Sequence, residues 1–432
     1  MTAGTAIILG SIGRNFAAGL AVGVAYVYDK SKIMVLFSQY QHRNAGIQAV
    51  IESAKLYVRS NSAVPLVDFG FYAPVQLLQR TNNDRLLCIS SVRIYLFPMK
   101  TQSRPDWELS LIDLEEVHIE SDRAVNIKSN ENVDKSVFFK LLDDDVQIEV
   151  LIMYLLRLAN HIRAYSQNCL RCVALHFGQK CRGDLIKRLQ LLAGNICNCF
   201  DYDYTELPCD GLALSYSAWS DKLNEEFNEE FIWQCHMINY TSNNRCLLLS
   251  DILNGSNIRA IVVILMAIKF NSWFNGVSWK GTKKMPIEVV DALADLFKHS
   301  KHLCEFAFTD NCLKSDQCAR LIKSLIENSR CLIESIQLSG IQMNEKAIDL
   351  LNLLLQNACN LHALNINQCN LNSKLTFSLL RNLSVNLTSL HLADNDLRFA
   401  DDEMLYKSIS SFKRLQKFDI SNTYLNLNVV CV

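Results

Sequence analysis

The stretch "NLTSLHLADNDL" (386–397) constrains this chain more than any other, because its skeleton recurs. Leu387, Leu390, Leu392 and Leu397 carry the apolar positions, and Asn395 sits at the bend. The same skeleton is found at Leu361, Leu364, Ile366 and Leu371, at Ile333, Ile336, Leu338 and Met343, and at Leu303, Phe306, Phe308, Asn311 and Leu313. It appears once more at Leu415, Phe418, Ile420 and Leu425, so five copies are separated by steps of 30, 28, 26 and 28 residues. A fixed period of this length implies one structural unit stacked on itself.

The spacing is that of a leucine-rich repeat. Segments of helical period lie between the copies: "SDQCARLIKSLIENS", "NEKAIDLLNLLLQNA", "KLTFSLLRNLSVN" and "DDEMLYKSISSF". Several open on residues suited to N-capping, such as Ser315, Asn344 and Asp401. A strand and a full helix per period predict a curved β/α solenoid of the ribonuclease-inhibitor kind, with parallel strands on the concave face and helices on the convex one. Weaker copies extend it upstream through Phe274, Val277 and Trp279 and through "RCLLLSDILNGSNIRAIVVILMAIKF". "AIVVILMAI" is too short to cross a bilayer and falls on a helix position of the repeat, so it reads as buried core. Outward strand positions nominate Glu305, Gln337, Asn365, His391 and Asp419 as concave-face partner contacts. The last copy is followed by "NLNVVCV" without a capping helix, which predicts either a covering partner or a longer natural chain.

Upstream the rhythm changes. "DRLLCISSVRIYLFPMK" reads as two strands with a turn at Ser90–Ser91, and "WELSLIDLEEVHIES", "AVNIKS" and "SVFFKLL" supply further short strands. A long amphipathic helix from about 144 to 167 follows. Antiparallel strands closed by a C-terminal helix predict a pleckstrin-homology-like barrel. Arg93, Lys100 and Arg104 are its candidate contacts to acidic lipid headgroups, offset by neighbouring acids such as "DDD" at 143–145. The fold class is therefore mixed, multidomain α/β. Its parts are an apolar segment (1–45), a PH-like domain (46–168), a connector and solenoid cap (169–244) with Phe231, Trp233 and Met237 buried, and the repeats (245–432).

Within the first segment, residues 6–28 are apolar and long enough to span a bilayer, although they include Arg14. Two readings stand: a membrane or targeting segment, and a buried helix. The sixteen cysteines are scattered through periodic segments; Cys246, Cys304, Cys331, Cys359 and Cys369 sit beside apolar repeat positions, the place of a small hydrophobe in a reduced protein. A formal net charge of −1 gives no general attraction for nucleic acid. Cys169, Cys172, His176 and Cys181 have the spacing C-x2-C-x3-H-x4-C, near that of a zinc knuckle, but they overlap a helical run and are read as a helix end with buried thiols. No nucleotide-binding, metalloprotease or nucleophile-elbow motif occurs, so the chain is read as a non-enzyme without cofactor or metal.

The order of barrel, long helix, acidic-aromatic connector and 28-residue repeats resembles the CARMIL family, linkers of capping protein, the actin-nucleating complex and class I myosin. The likeness is most specific in "NDRLLCISSVRIYLFPMK" and in the first repeat, where Asn271, Trp273 and Phe274 end the helix as in that family. The resemblance covers about residues 75–425 and implies an adaptor in actin filament organisation. Such an adaptor would be cytoplasmic and peripheral at the plasma membrane and cortex, with protein partners on the repeats and weak acidic-lipid contact through the barrel. The family's dimerisation helices, basic capping-protein-binding segment and proline-rich tail have no counterpart in these residues. The alternative is a repeat protein of inhibitor or receptor type unrelated to actin.

Overall fold

Alternating and continuous apolar runs are resolved here into two large sheets of opposite character. The computed structural model describes residues 6–8, 25–27 and 45–424, except 65–68, 79–83, 130–135, 144–147, 167–172, 199–207, 242–244, 253–256, 282, 330–331, 384–385, 399–406 and 408. The fold is mixed α/β, in two compact units. The first comprises residues up to Ala164, Asn168–Thr205 and Ser220–Glu229; the second comprises Tyr165–Gln167, Glu206–Trp219 and Glu230–Val432.

Two short strands, β1 (Ala6–Ile8) and β2 (Ala25–Val27), pair in parallel with each other. They are the described part of the apolar stretch 6–28; the rest of that stretch lies outside the described residues. Among the described residues, no helix is long and apolar enough to cross a membrane.

The main elements of the first unit are α1 (Ala45–Asn61), β3 (Phe69–Leu77), β4 (Asp84–Ser90), β5 (Arg93–Pro98), β6 (Trp107–Ser110), β7 (Leu114–Ser121), β8 (Ala124–Ser129), β9 (Val137–Leu141), α2 (Ile148–Ser166), β10 (Ala174–Lys180) and α3 (Gly183–Asn198). Its eight strands form one sheet in the order β10-β7-β8-β9-β3-β4-β5-β6, antiparallel except for the β10–β7 pair. The turn at Ser90–Ser91 is closed by Ser90, whose Oγ accepts from the Arg93 N–H at 2.9 Å. β4 and β5 read as continuous apolar runs because both of their faces are covered. Leu86 and Cys88 of β4 and Tyr95 and Phe97 of β5 pack under α1 with Ile51, Ala54 and Val58, while Leu87 and Ile89 are buried on the opposite side. α2 occupies the range expected for the closing helix, and its Tyr154 ring stacks on Phe71.

Two strands run against the sequence reading. β3 was not anticipated; its Pro74 stands just before the segment where β9 joins β3. β10 occupies residues taken for a helix end, which is a correction. It pairs with β7 fifty-eight residues away, and Gly178 permits the approach, because a Cβ there would stand 3.0 Å from the Glu120 backbone. The strand also keeps residues 173–198 with the first unit, where the sequence reading placed a connector.

In the second unit, α4 (Leu212–Leu223, of which the residues from Ser220 on belong to the first unit) and α5 (Glu229–Thr241) precede a series of strands and helices that alternate as far as β16. It runs β11 (Cys246–Leu248), α6 (Ile258–Ile268), β12 (Gly276–Trp279), α7 (Ile287–His299), β13 (Glu305–Phe308), α8 (Ser315–Glu327), β14 (Ser335–Gln337), α9 (Glu345–Asn357), β15 (Ala363–Asn365), α10 (Ser373–Leu380), β16 (Ser389–His391) and β17 (Lys417–Asp419). The seven strands are all parallel and adjacent in chain order. Leu247, Val277, Phe306, Ile336, Leu364, Leu390 and Phe418 form one row across them, the first six buried and Phe418 37% exposed on the last strand. The helices bury one stripe each, as in Val289, Val290, Leu293, Leu296 and Phe297 of α7. Asn344 caps α9 and Asn372 caps α10, whereas Ser315 instead uses its Oγ to accept the Asn344 N–H at 2.7 Å, linking neighbouring repeats. Asp401 lies outside the described residues.

The packing of α5 departs from expectation at two residues, Trp233 and Met237, the latter only half-buried. Phe231 is buried, with Ile232 and Cys235, but Trp233 is 48% exposed because it falls on the outer side of the helix. Cys369 is fully buried as a small hydrophobe, Cys246 and Cys304 are half-buried, and Cys359 is exposed; Cys331 lies outside the described residues.

Candidate binding surfaces

The buried middle residue of each repeat strand fixes where its neighbours point. Residues one before and one after project to the sheet face opposite the helices, since strand side chains alternate. Ser278, Ala307, Gln337, Asn365, His391 and Asp419 form one row on that face, and Gly276, Glu305, Ser335, Ala363, Ser389 and Lys417 form the next. Four of the five nominated residues thus stand in a single row at the inter-strand spacing of about 4.8 Å. Glu305 stands in the neighbouring row, two residues earlier on its strand.

The rows are polar and internally connected toward the C-terminal end. Ser389 Oγ lies 2.9 Å from His391 Nε2, and His391 Nδ1 is 3.7 Å from Asp419 Oδ2. Asp419 accepts from the Ser421 hydroxyl at 2.7 Å and from its N–H at 3.0 Å, and these bonds hold its carboxyl below the usual range. Asn365 accepts the Asn367 N–H at 3.1 Å, and Asn367 in turn accepts the Ala393 N–H at 2.8 Å. Ser335, Ser389 and Lys417 were not singled out from sequence. The signal was present in the alternation of each strand, two residues before the position that was chosen.

Beyond the strands, tight turns make a ridge. Asp310, Asn311, Gly340, Gln368, Asn370, Asp394 and Asn422 all have positive φ, a conformation that favours Gly, Asn and Asp. Asn395 is 2% exposed and satisfies five groups: its Nδ2 donates to the carbonyls of Ile366, Leu392 and Ala393, and its Oδ1 accepts the N–H groups of Cys369 and Leu371.

The three cationic candidates of the first unit do not act alike. Arg93 is bound to acids: its guanidinium lies 2.9 Å from Glu108 Oε1 and 2.9 Å from Asp221 Oδ2, and it donates to the Asp221 carbonyl at 3.1 Å. Asp221 is 6% exposed, and burial raises its carboxyl above the usual range against the opposing pull of Arg93. Lys100 and Arg104 are exposed in the connection between β5 and β6. Of the zinc-knuckle residues, Cys169 and Cys172 lie outside the described residues. His176 is on β10, and the Cys181 thiol, pushed up by burial, donates to the Ile119 carbonyl at 2.9 Å.

No protein-family model matches the chain. The Rho GTPase-activating protein gacW of Dictyostelium discoideum is 23% identical over 222 residues, which is 50% of this chain and 20% of that protein. The Homo sapiens "Capping protein, Arp2/3 and myosin-I linker protein 3" is 25% identical over 142 residues, or 33% of this chain and 10% of the relative. A short match of 29 residues is 69% identical to the glutamate synthase (NADH) of Schizosaccharomyces pombe, covering 7% of this chain and 1% of that enzyme. These alignments span a fifth or less of each relative's length, and the two long ones are distant.

Proposed function

We propose that the chain is a non-enzymatic adaptor of the actin cytoskeleton that carries a pleckstrin-homology-like unit and a leucine-rich-repeat unit, the latter docking protein partners on its open sheet face. The observation that carries this reading is the pair of polar rows held in unbroken parallel register, a rigid surface with one side chain per repeat in each row. The likeness to a protein named as a linker of capping protein, Arp2/3 and myosin-I supports the actin assignment. A place in the cytoplasm, peripheral to the plasma membrane, goes with it. Exposed Lys100 and Arg104 would give only weak attraction for acidic lipid, about 1 kcal/mol each near a charged surface, and Arg93 adds little because two carboxylates already neutralise it.

The test is a titration of the purified chain against purified class I myosin tail and Arp2/3 complex. Saturable binding to one of them is expected, weakened at least about tenfold in a Asn365→Arg, His391→Glu variant whose melting temperature is unchanged. No binding to either, or binding indifferent to both substitutions, would refute the reading.

The longer match, to the Rho GTPase-activating protein, favours a second reading in which the same surface serves a Rho-type GTPase. GTP hydrolysis by a purified Rho-type GTPase separates the two: the adaptor reading expects no acceleration by this chain, and an enhanced rate would replace it.

A further inference from the structure

One group of side chains in the first unit takes no part in the reading above and has the chemistry of a metal site. Glu116 and His118 are two apart on β7 and project from the same face. Val117 and Ile119, which alternate with them, are fully buried, so the strand's rotation is fixed. On the edge strand β10, His176 stands directly opposite His118, and the two imidazoles stack with centroids 4.4 Å apart. Glu116 Oε2 is 2.7 Å from His118 Nε2, and Glu116 Oε1 is 3.8 Å from His176 Nε2. One ligand atom from each of the three residues lies within 4.8 Å of the others.

We infer that Glu116, His118 and His176 form a binding site for a divalent transition-metal ion of the zinc type, which clamps the edge strand β10 onto β7. Two imidazole nitrogens and one carboxylate oxygen suit zinc and its neighbours, whereas calcium and magnesium take oxygen ligands. In a tetrahedral zinc site with bonds of about 2.0–2.1 Å, ligand atoms stand about 3.3 Å apart. The observed spacing closes to that by side-chain rotation, and His176 is free enough to rotate, its side chain being 50% exposed. Water completes the coordination.

The surroundings fit. Lys128, the register partner of Glu116 on β8, holds Glu116 Oε2 at 3.1 Å and leaves Oε1 toward His176. Asn126 is the register partner of His118 on β8, and its Oδ1 is buried with no hydrogen-bond partner, a further oxygen on the same face. The metal-ligand chemistry that sequence spacing associated with His176 is thereby redirected. Cys181 is five residues farther along the chain and its thiol is engaged with the Ile119 carbonyl, while Glu116 and His118 stand beside His176. This inference is independent of the adaptor reading.

Zinc chloride titrated into the metal-free full chain against a chromophoric chelator tests it. One zinc per chain is expected, bound at least about tenfold more weakly by His118→Ala and by His176→Ala, and unchanged in Cys169→Ser, Cys172→Ser. His176 is at the surface, so its variant reports on the site without a folding defect, which the metal-free melting temperature verifies. Cobalt substitution should give the absorption of a nitrogen- and oxygen-ligated ion, without a thiolate charge-transfer band. Absence of binding at micromolar zinc, or binding lost with the cysteines and kept without the histidines, would overturn the proposal.

Discussion

Asn271 illustrates how one side chain joins distant parts of the chain. It is 1% exposed; its Nδ2 donates to the Cys209 carbonyl at 2.8 Å and the Asp210 carbonyl at 3.0 Å, and its Oδ1 accepts from Trp273 at 2.9 Å and Phe274 at 3.2 Å. Cys209 and Asp210 both have positive φ, so this asparagine holds a turn that the backbone does not favour. Asn271→Ala removes the partner of four backbone groups, two of them in buried bonds and two in part-buried ones, and is expected to cost about 2–4 kcal/mol, read from urea unfolding followed by tryptophan fluorescence. Sequence marked Asn271 with Trp273 and Phe274 by resemblance, yet its partners sixty-odd residues earlier had no local signature. On the turn ridge, hydrogen bonds from Gln368 and then Asn422 hold the Asp394 carboxyl below its usual range. A depressed folded value means stabilisation that is present above the unfolded value of about 4 and is lost as pH falls through the folded one. Wild type should therefore melt above Asp394→Asn at neutral pH, with the gap closing in acid below about pH 4; a gap independent of pH would contradict this.

At the scale of elements, what was legible depended on how local the pattern is. The repeats announce themselves because each 26–30-residue period carries its own strand, turn and helix, and the observed register copies the sequence steps from Phe306 to Ile336, Leu364, Leu390 and Phe418. The hairpin of β4 and β5 was legible for the same reason, its turn serine lying between two apolar runs. β3 and β10 were not, because their pairing is long-range and glycines obscure their period. At Gly70 a register shift places Phe69 under α1 and Phe71 against Tyr154, two residues of the same parity on opposite faces. A Cβ on Gly70 would stand 1.7 Å from the Tyr154 hydroxyl oxygen. Gly70→Ala is expected to displace the ring and cost about 1–3 kcal/mol, seen as a lower melting temperature of the first unit; an unchanged one would show that Tyr154 does not close on this bulge.

At the scale of the whole molecule, the two units divide the chemistry. The first contains the exposed cations Lys100 and Arg104, the neutralised Arg93 and the histidine pair, and the second contains the polar rows. The parallel sheet with helices between its strands was readable from spacing alone. The alignment of Gln337, Asn365, His391 and Asp419 in one row, with Glu305 in the next, needed the register. Sedimentation with phosphatidylserine vesicles should show weak, salt-sensitive binding that falls in Lys100→Glu, Arg104→Glu; binding that persists in high salt would require another contact. The central claim, that partners dock on the open sheet face, is tested most directly by chemical footprinting of the chain alone and with saturating class I myosin tail or Arp2/3 complex. Carbodiimide labelling of Glu305 and Asp419 and diethylpyrocarbonate labelling of His391 should drop in the complex, while Glu288 and Asp349 on the helices keep theirs. Unchanged labelling of the rows with loss on the helices would place the partner on the other side and contradict the account.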